Sequence, residues 1–124
     1  MEGIRLIVVS PKDIENPYGE YSGNLTSHMI KHPELIGEKA KFIAVELGII
    51  TWERLQTTST GQRVDLVFED EENIYLLEVK DDANEVEDGK KQVVEYAQIF
   101  LKWLNWRKAP LTKHVVPIVA TISS

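Results

Sequence analysis

The sequence contains no cysteine among its 124 residues. Without cysteine, the chain has neither a disulfide framework nor a thiolate zinc site. It also has no run of about 18 apolar residues, which a membrane-spanning helix would need, and its first residues lack the cleavage pattern of a signal peptide. These absences predict a soluble, intracellular protein of the cytoplasm with no membrane partner.

Basic charge is also scarce, since 14 Lys and Arg face 20 Asp and Glu and give a formal net charge of -6. Proteins that coat nucleic acids are usually basic, so this balance argues against that class. It does not exclude a nuclease, because a phosphate backbone meets the local field. The sequence also lacks a Gly-rich phosphate loop and a Gly-X-Ser-X-Gly nucleophile pattern.

The residues that are present suit an ordinary globular protein, with 43% hydrophobic and 27% charged residues. The length fits one domain, residues 1–124, with a single core. In the first half, apolar residues from Leu35 to Leu47 recur near a 3.6-residue period, which predicts an amphipathic helix. The elements predicted there are an edge strand at Ile4–Val9, a loop over residues 10–24, a short helix at Leu25–Lys31, the amphipathic helix from Glu34 to about Gly48, and a core strand at Ile49–Thr58.

The second half predicts a hairpin followed by a long helix and a last strand. Arg63–Glu69 and Ile74–Lys80 are predicted as antiparallel strands joined by a short acidic loop. A helix follows at Glu85–Arg107, and His114–Ile122 forms a strand that Pro117 should confine to an edge or a bulge. The order of one helix, three strands, one helix and one strand predicts an α/β fold, with a mixed sheet flanked by helices.

Three charges interrupt the apolar hairpin strands. Asp65 lies in the first strand, and Glu78 and Lys80 flank Val79 in the second. A buried charge is costly unless it is paired or binds a metal. Side chains alternate between the faces of a strand, so Glu78 and Lys80 share a face, and Asp65 could join them from the neighbouring strand.

This set of groups has a specific chemistry. Two carboxylates, with the backbone carbonyl of Val79, offer hard oxygen ligands that suit Mg²⁺ or Mn²⁺ together with phosphate oxygens. The metal would polarise a phosphoryl group and activate water, while Lys80 orients that water and offsets developing charge. The simpler alternative is a cross-strand pair of Asp65 and Lys80 beside an exposed Glu78.

Asp65 and Glu78-Val79-Lys80 resemble the Asp…Glu-X-Lys signature of the PD-(D/E)XK nucleases, and the predicted αβββαβ order is similar to the core of that superfamily. Gln92 and Tyr96 resemble the Gln-X-X-X-Tyr pattern of its RecB-like and archaeal-resolvase-like branches. Residues at i and i+4 share a helix face. The resemblance implies a restriction-endonuclease-like fold in which Asp65, Glu78, Lys80, Gln92 and Tyr96 are catalytic and Asp65, Glu78 and Val79 hold the metal.

A closer resemblance, over roughly residues 25 to 105, is to the C-terminal nuclease domain of the NucS/EndoMS endonucleases. It is carried by His32-Pro33-Glu34-Leu35-Ile36-Gly37-Glu38 and by Gly61-X-X-Val64-Asp65-Leu66. It does not include the N-terminal DNA-binding and dimerisation domain of those enzymes, so it does not imply mismatch specificity. Many relatives add a metal-binding glutamate from an upstream helix, for which Glu20, Glu34 and Glu38 are the candidates.

The expected function is therefore Mg²⁺- or Mn²⁺-dependent endonucleolytic hydrolysis of DNA phosphodiester bonds. Single-stranded, branched and mismatched DNA are all candidate substrates, and a homodimer or a partner protein is expected to supply targeting. Two alternatives stay open: a non-catalytic nucleic-acid-binding or assembly module that retains the fold, and a purely structural domain.

Overall fold

The structure is a computed structural model that describes residues 3–14, 21–47, 64–106 and 112–123. These ranges form an α/β fold with a mixed sheet of five strands and two α-helices. The elements in chain order are β1 (Arg5–Val9), α1 (Tyr21–Lys31), β2 (Lys41–Leu47), β3 (Val64–Glu69), β4 (Asn73–Lys80), α2 (Val86–Trp106) and β5 (His114–Ile122). No helix within the described ranges is long and apolar enough to cross a membrane.

The sheet has the strand order β1-β5-β4-β3-β2, so the hairpin strands lie in its interior. β3 and β4 are antiparallel, with Leu66 opposite Leu77. β5 runs parallel to β4 on its other side, and Lys80 lies beside Thr121 in that register. β1 pairs in parallel with β5, and β2 pairs antiparallel with β3. The three interior strands of the sheet are therefore β5, β4 and β3.

The predicted hairpin is confirmed, and the loop between its strands is held by Asp70. The carboxylate oxygen Oδ1 of Asp70 accepts hydrogen bonds from the backbone N–H groups of Glu72, at 2.8 Å, and Asn73, at 2.7 Å. The Tyr75 hydroxyl donates to the other oxygen, Oδ2, of the same carboxylate. An aspartate that bonds to backbone two and three residues ahead favours a turn, which fixes the register of the two strands.

The two helices pack against opposite faces of the sheet. Leu25 and Met29 of α1 are fully buried in a cluster with alternate residues of the strands, among them Leu66, Leu77 and Ile118. Val93 and Ala97 of α2 are fully buried on the other face, in a cluster that includes Val67, Leu76 and Val119. The buried apolar residues of β3, β4 and β5 therefore alternate between an α1 face and an α2 face.

The predicted amphipathic helix from Glu34 to Gly48 is wrong. Pro33–Leu35 form only a 3₁₀ turn, and residues 41–47 form strand β2 instead. Phe42 packs its ring edge-on against Phe68 of β3 with 5.6 Å between ring centroids, and the pairing shifts register between Phe42 and Ala44, as in a bulge. The run is rich in β-branched and aromatic residues, and pairing with β3 overrides the helical period. The predicted strand at Ile49–Thr58 lies outside the described residues.

The predicted edge or bulge at Pro117 of the last strand is also wrong, because β5 is an interior strand whose register with β4 does not shift. β5 lies between β1 and β4, and its residues from Val115 to Ile122 are buried. Pro117 is tolerated because the pairing with β1 begins only at the next residue, Ile118. A proline lacks the N–H that a ladder needs, so it suits a position where one side of the strand has no partner. By contrast, β1 is at an edge of the described sheet, as predicted.

The remaining boundaries shift by a few residues. α1 begins at Tyr21, inside the predicted loop, and ends at Lys31 as expected. α2 spans Val86–Trp106, close to the prediction. Before α2, Asp82 caps a 3₁₀ turn by accepting a hydrogen bond from the backbone N–H of Asn84 at 2.8 Å. This turn brings the start of α2 directly over the end of β4.

Candidate metal and phosphodiester site

The three charged residues of the hairpin meet on the α2 face of the sheet. Continuing the register of β3 and β4 by one residue places Asp65 opposite Glu78, and directly opposite side chains have Cβ atoms about 5 Å apart. The Lys80 ammonium lies 3.8 Å from Glu78 Oε1. The simpler alternative differs from this arrangement, because Glu78 is buried at 6% exposure and Lys80 is paired with Glu78.

Asp65 is fixed by the neighbouring backbone. Its Oδ2 accepts a hydrogen bond of 2.8 Å from the backbone N–H of Val79. The N–H and C=O groups of one strand residue point to the same side of the strand, so the Val79 carbonyl also faces β3. The predicted backbone ligand therefore lies on the Asp65 side of β4.

Glu78 is the most perturbed group of the site. The pKa of Glu78 is raised to about 8: burial is the largest cause, the neighbouring Asp65 carboxylate adds to the rise, and Lys80 only partly opposes it. Its Oε2 is buried and has no hydrogen-bond partner in the described part of the chain. The ammonium of Lys80 does not offset the cost of burial and the repulsion from Asp65. The neutral, protonated form of Glu78 is therefore favoured over the ionised form.

α2 closes the site from above with a strip of residues on one face. Gly89 contacts the sheet next to Lys80 and Val119. Two turns later Tyr96 is buried, and burial, then the charges of Glu78 and Asp65, raise the pKa of its hydroxyl to about 12. Gln92 lies between them on the same face by its spacing, and its Oε1 is buried without a partner among the described residues.

The donor set fits a hard divalent cation. Within the described ranges, no group of three or more His, Cys, Asp or Glu side chains could hold a metal ion. A cation at this site would rest on Asp65, Glu78 and the Val79 carbonyl and would complete its shell with water and phosphate oxygens, which is how Mg²⁺ is usually bound. The unpartnered Glu78 oxygen is the observation that supports this fit, since a buried polar atom without a partner is costly.

The upstream glutamates do not complete this set in the described residues. Glu34 is exposed at 61% and bonds with its Oε1 to His32 Nδ1 at 3.1 Å. Gly37 packs against the Tyr75 hydroxyl, and Tyr75 belongs to the α1 face, so this segment lies on the other side of the sheet from Glu78. Glu38 is exposed. Glu20 lies outside the described residues.

Two residues of this region escaped prediction. Thr121 interrupts the apolar row of β5 on the α2 face, and Gly89 interrupts the helix that covers it. A hydroxyl in an apolar strand and a glycine inside a helix are both weak signals by themselves. The register of β4 and β5 places Thr121 beside Lys80, and the packing of α2 on the sheet places Gly89 there.

Comparisons of the chain with known protein families, with curated proteins and with solved structures found no match.

Proposed function

We propose that this chain is a PD-(D/E)XK-type domain with a restriction-endonuclease-like core, and that it hydrolyses DNA phosphodiester bonds with Mg²⁺ or Mn²⁺. The observation that carries this proposal is Glu78. It is a buried carboxyl group beside a second carboxylate, with an unpartnered oxygen and a strongly raised pKa. A buried polar atom without a partner is costly, and a bound cation would supply that partner.

Each residue has a role that follows from its position. Asp65 and Glu78 hold the cation together with the Val79 carbonyl, and Lys80 orients the attacking water and offsets charge that develops on the phosphate. Tyr96 keeps its proton at neutral pH, so its hydroxyl acts as a hydrogen-bond donor. The Gln92 amide oxygen accepts from water at the site. When bound, the cation polarises the phosphoryl group and lowers the pKa of a water molecule.

The order of the elements supports the same proposal. From α1 to β5 the described chain runs helix, three strands, helix and strand, which is the αβββαβ order that the resemblance implies. The helix before the hairpin is α1, and the strand before it is β2, so the order arises from elements other than some of those predicted. Asp65, Glu78 and Lys80 lie on the second and third strands of this series.

We propose DNA as the substrate class, with single-stranded, branched and mismatched forms to be compared, and a homodimer or partner protein for targeting. The 3₁₀ turn after Lys80 is lined by Asp81, Asp82 and Glu85, all exposed. These charges repel a phosphate backbone on that side of Lys80. They favour an assembly in which another subunit or protein supplies the basic contacts to DNA.

A cleavage assay with matched variants tests the proposal. Labelled single-stranded, branched, mismatched and duplex DNA are incubated with Mg²⁺ or Mn²⁺ and with wild type, Glu78→Gln or Lys80→Met. Each variant should cut at least about a hundredfold more slowly, because each removes a group that acts in the transition state.

Glu69 and Lys113 offer matched controls. They form an ion pair of 3.0 Å at the opposite end of the sheet, so Glu69→Gln and Lys113→Met repeat the same chemical changes away from the site. Both controls should retain cleavage. If folded wild type cuts none of the substrates, or if Glu78→Gln cuts as wild type does, the chain is not a nuclease of this type.

A second function is a non-catalytic nucleic-acid-binding or assembly module; the formal net charge of -6 favours its assembly form, because negative charge repels a phosphate backbone. Binding of the same DNA forms is measured by fluorescence anisotropy with Ca²⁺ in place of Mg²⁺. Binding without cleavage under any of the assay conditions would identify this second function.

A further inference from the structure

Thr121 is a buried polar residue near the end of β5, and its hydroxyl has no partner among the described residues. It lies in β5 directly beside Lys80 of β4, and it shares the α2 face with Val119 two residues earlier. Its side chain is buried at 2% exposure, and its Oγ1 has no hydrogen-bond partner in the described residues. The hydroxyl therefore lies on the flank of Lys80 opposite to Asp65.

This hydroxyl does not serve the stability of the metal-free fold. Val115 and Val119 occupy the same face of β5 and are fully buried, and valine has nearly the shape of threonine. A buried hydroxyl without a hydrogen bond is destabilising relative to such an apolar group. Polar groups that are left unsatisfied in a buried position call for a partner, and here the nearest strand neighbour is a lysine.

The aliphatic part of the Lys80 side chain is confined by α2, but its ammonium group is not. A Cβ atom placed on Gly89 would lie 3.2 Å from Lys80 Cγ and 3.5 Å from Lys80 Cε, so α2 covers the aliphatic part of the chain. The ammonium group lies toward Glu78 at 3.8 Å, which is long for a hydrogen bond. Rotation about the last bonds would exchange Glu78 on β4 for Thr121 on β5.

A cation at the carboxylates would force this exchange. It would repel the ammonium and compete with it for Glu78. We propose that Thr121 is a positioning residue, whose Oγ1 accepts a hydrogen bond from the Lys80 ammonium when Asp65 and Glu78 bind a divalent cation. The inference rests on the proposed cation site. It adds a second position for the Lys80 ammonium, at Thr121 instead of Glu78.

A double-mutant cycle on cation affinity tests this role without relying on cleavage. Mn²⁺ binding is measured by calorimetry for wild type, Thr121→Val, Lys80→Met and the double variant. Thr121→Val should weaken Mn²⁺ binding by about tenfold when Lys80 is present, because a hydrogen bond to a charged group is lost. In the Lys80→Met background the same change should have no effect, because no ammonium needs the hydroxyl.

Two further measurements separate positioning from packing. Thr121→Ser keeps the hydroxyl and should restore wild-type Mn²⁺ affinity. In EDTA, Thr121→Val should unfold at a higher temperature than wild type, because it removes the unpartnered hydroxyl.

The outcomes distinguish this inference from the proposed function. If wild type binds no Mn²⁺, both fail. If wild type binds Mn²⁺ but Thr121→Val weakens binding equally in the two backgrounds, or not at all, the cation site stands and the role of Thr121 is overturned.

Discussion

At the scale of single residues, Glu78 links the stability of this protein to its chemistry. Folding raises the pKa of Glu78 from 4.5 to about 8, chiefly through burial and then through Asp65. Between these values the unfolded chain releases the proton while the folded protein retains it. The free energy of unfolding therefore falls as pH rises across this window. A bound cation would remove this penalty, because it stabilises the ionised carboxylate.

The first prediction concerns Glu78→Gln in metal-free solution. The variant should be more stable than wild type by about 1–3 kcal/mol at pH 8, because the amide carries no charge to bury. This difference should shrink as pH falls toward 4.5 and should vanish below it, where wild-type Glu78 is protonated in both states. Urea unfolding in EDTA at several pH values measures it.

Glu69→Gln serves as the control, since Glu69 is 44% exposed and pairs with Lys113. It should show no comparable gain between pH 4.5 and 8. Curves for Glu78→Gln and wild type that stay parallel across this range would contradict the assigned pKa.

Some residues of the site can be predicted from the sequence and others cannot. Asp65, Glu78 and Lys80 were predicted because charges in apolar strands are visible in a linear pattern, and alternation sets their face. Thr121 was not predicted, because it depends on the register between β4 and β5. That register joins residues about 40 positions apart and has no local signal.

At the scale of elements, the packing of α2 on the sheet depends on a missing side chain at Gly89. Gly89 is buried inside the helix, where glycine costs about 1 kcal/mol relative to alanine. An added Cβ would meet Val119 Cγ1 at 3.1 Å and Lys80 Cγ at 3.2 Å. The missing side chain therefore allows the helix to approach the sheet closely at the lysine.

The second prediction is that Gly89→Ala displaces Lys80. Cleavage should fall several-fold, and the gain in stability should stay well below the roughly 1 kcal/mol expected from helix propensity. Gln98→Ala, at an exposed position of α2, is the control and should leave cleavage unchanged. Full activity in Gly89→Ala would show that the close approach does not matter for the site.

Elements were predicted well where local signals decide them. The hairpin follows from alternation and from the Asp70 turn, and α2 follows from a long apolar period. The sequence of β2 predicts a helix because its short apolar run satisfies both periods. Only its pairing with β3, at a distant place in the chain, decides for a strand.

At the scale of the whole molecule, the two faces of the sheet differ in what they carry. Its α1 face packs a core around Leu25, Met29 and Leu77, and its α2 face carries the charged groups. Glu78 and Lys80 alternate with Leu77 and Val79, so each strand serves both faces. Packing on the α1 side should therefore support the site without contacting it.

The third prediction tests this separation with Met29→Ala. Met29 is fully buried, and its truncation should reduce the free energy of unfolding by about 2–5 kcal/mol. The affinity of the folded protein for Mn²⁺ should be unchanged. Urea unfolding and calorimetry at low temperature measure the two quantities.

Ser27→Ala, at an exposed position on α1, is the control and should alter neither quantity. A loss of Mn²⁺ affinity in folded Met29→Ala would show that the two faces are coupled.

The central position of β5 also constrains how the protein folds. β1 pairs with β5, with Arg5 beside Ile118, so this ladder joins segments more than about a hundred positions apart. Contacts of such long range form slowly, because a large loop must close before they are gained. The β3–β4 hairpin can form early from local contacts, but Thr121 arrives only with β5. We therefore expect Asp65 and Glu78 to become neighbours earlier in folding than Lys80 and Thr121.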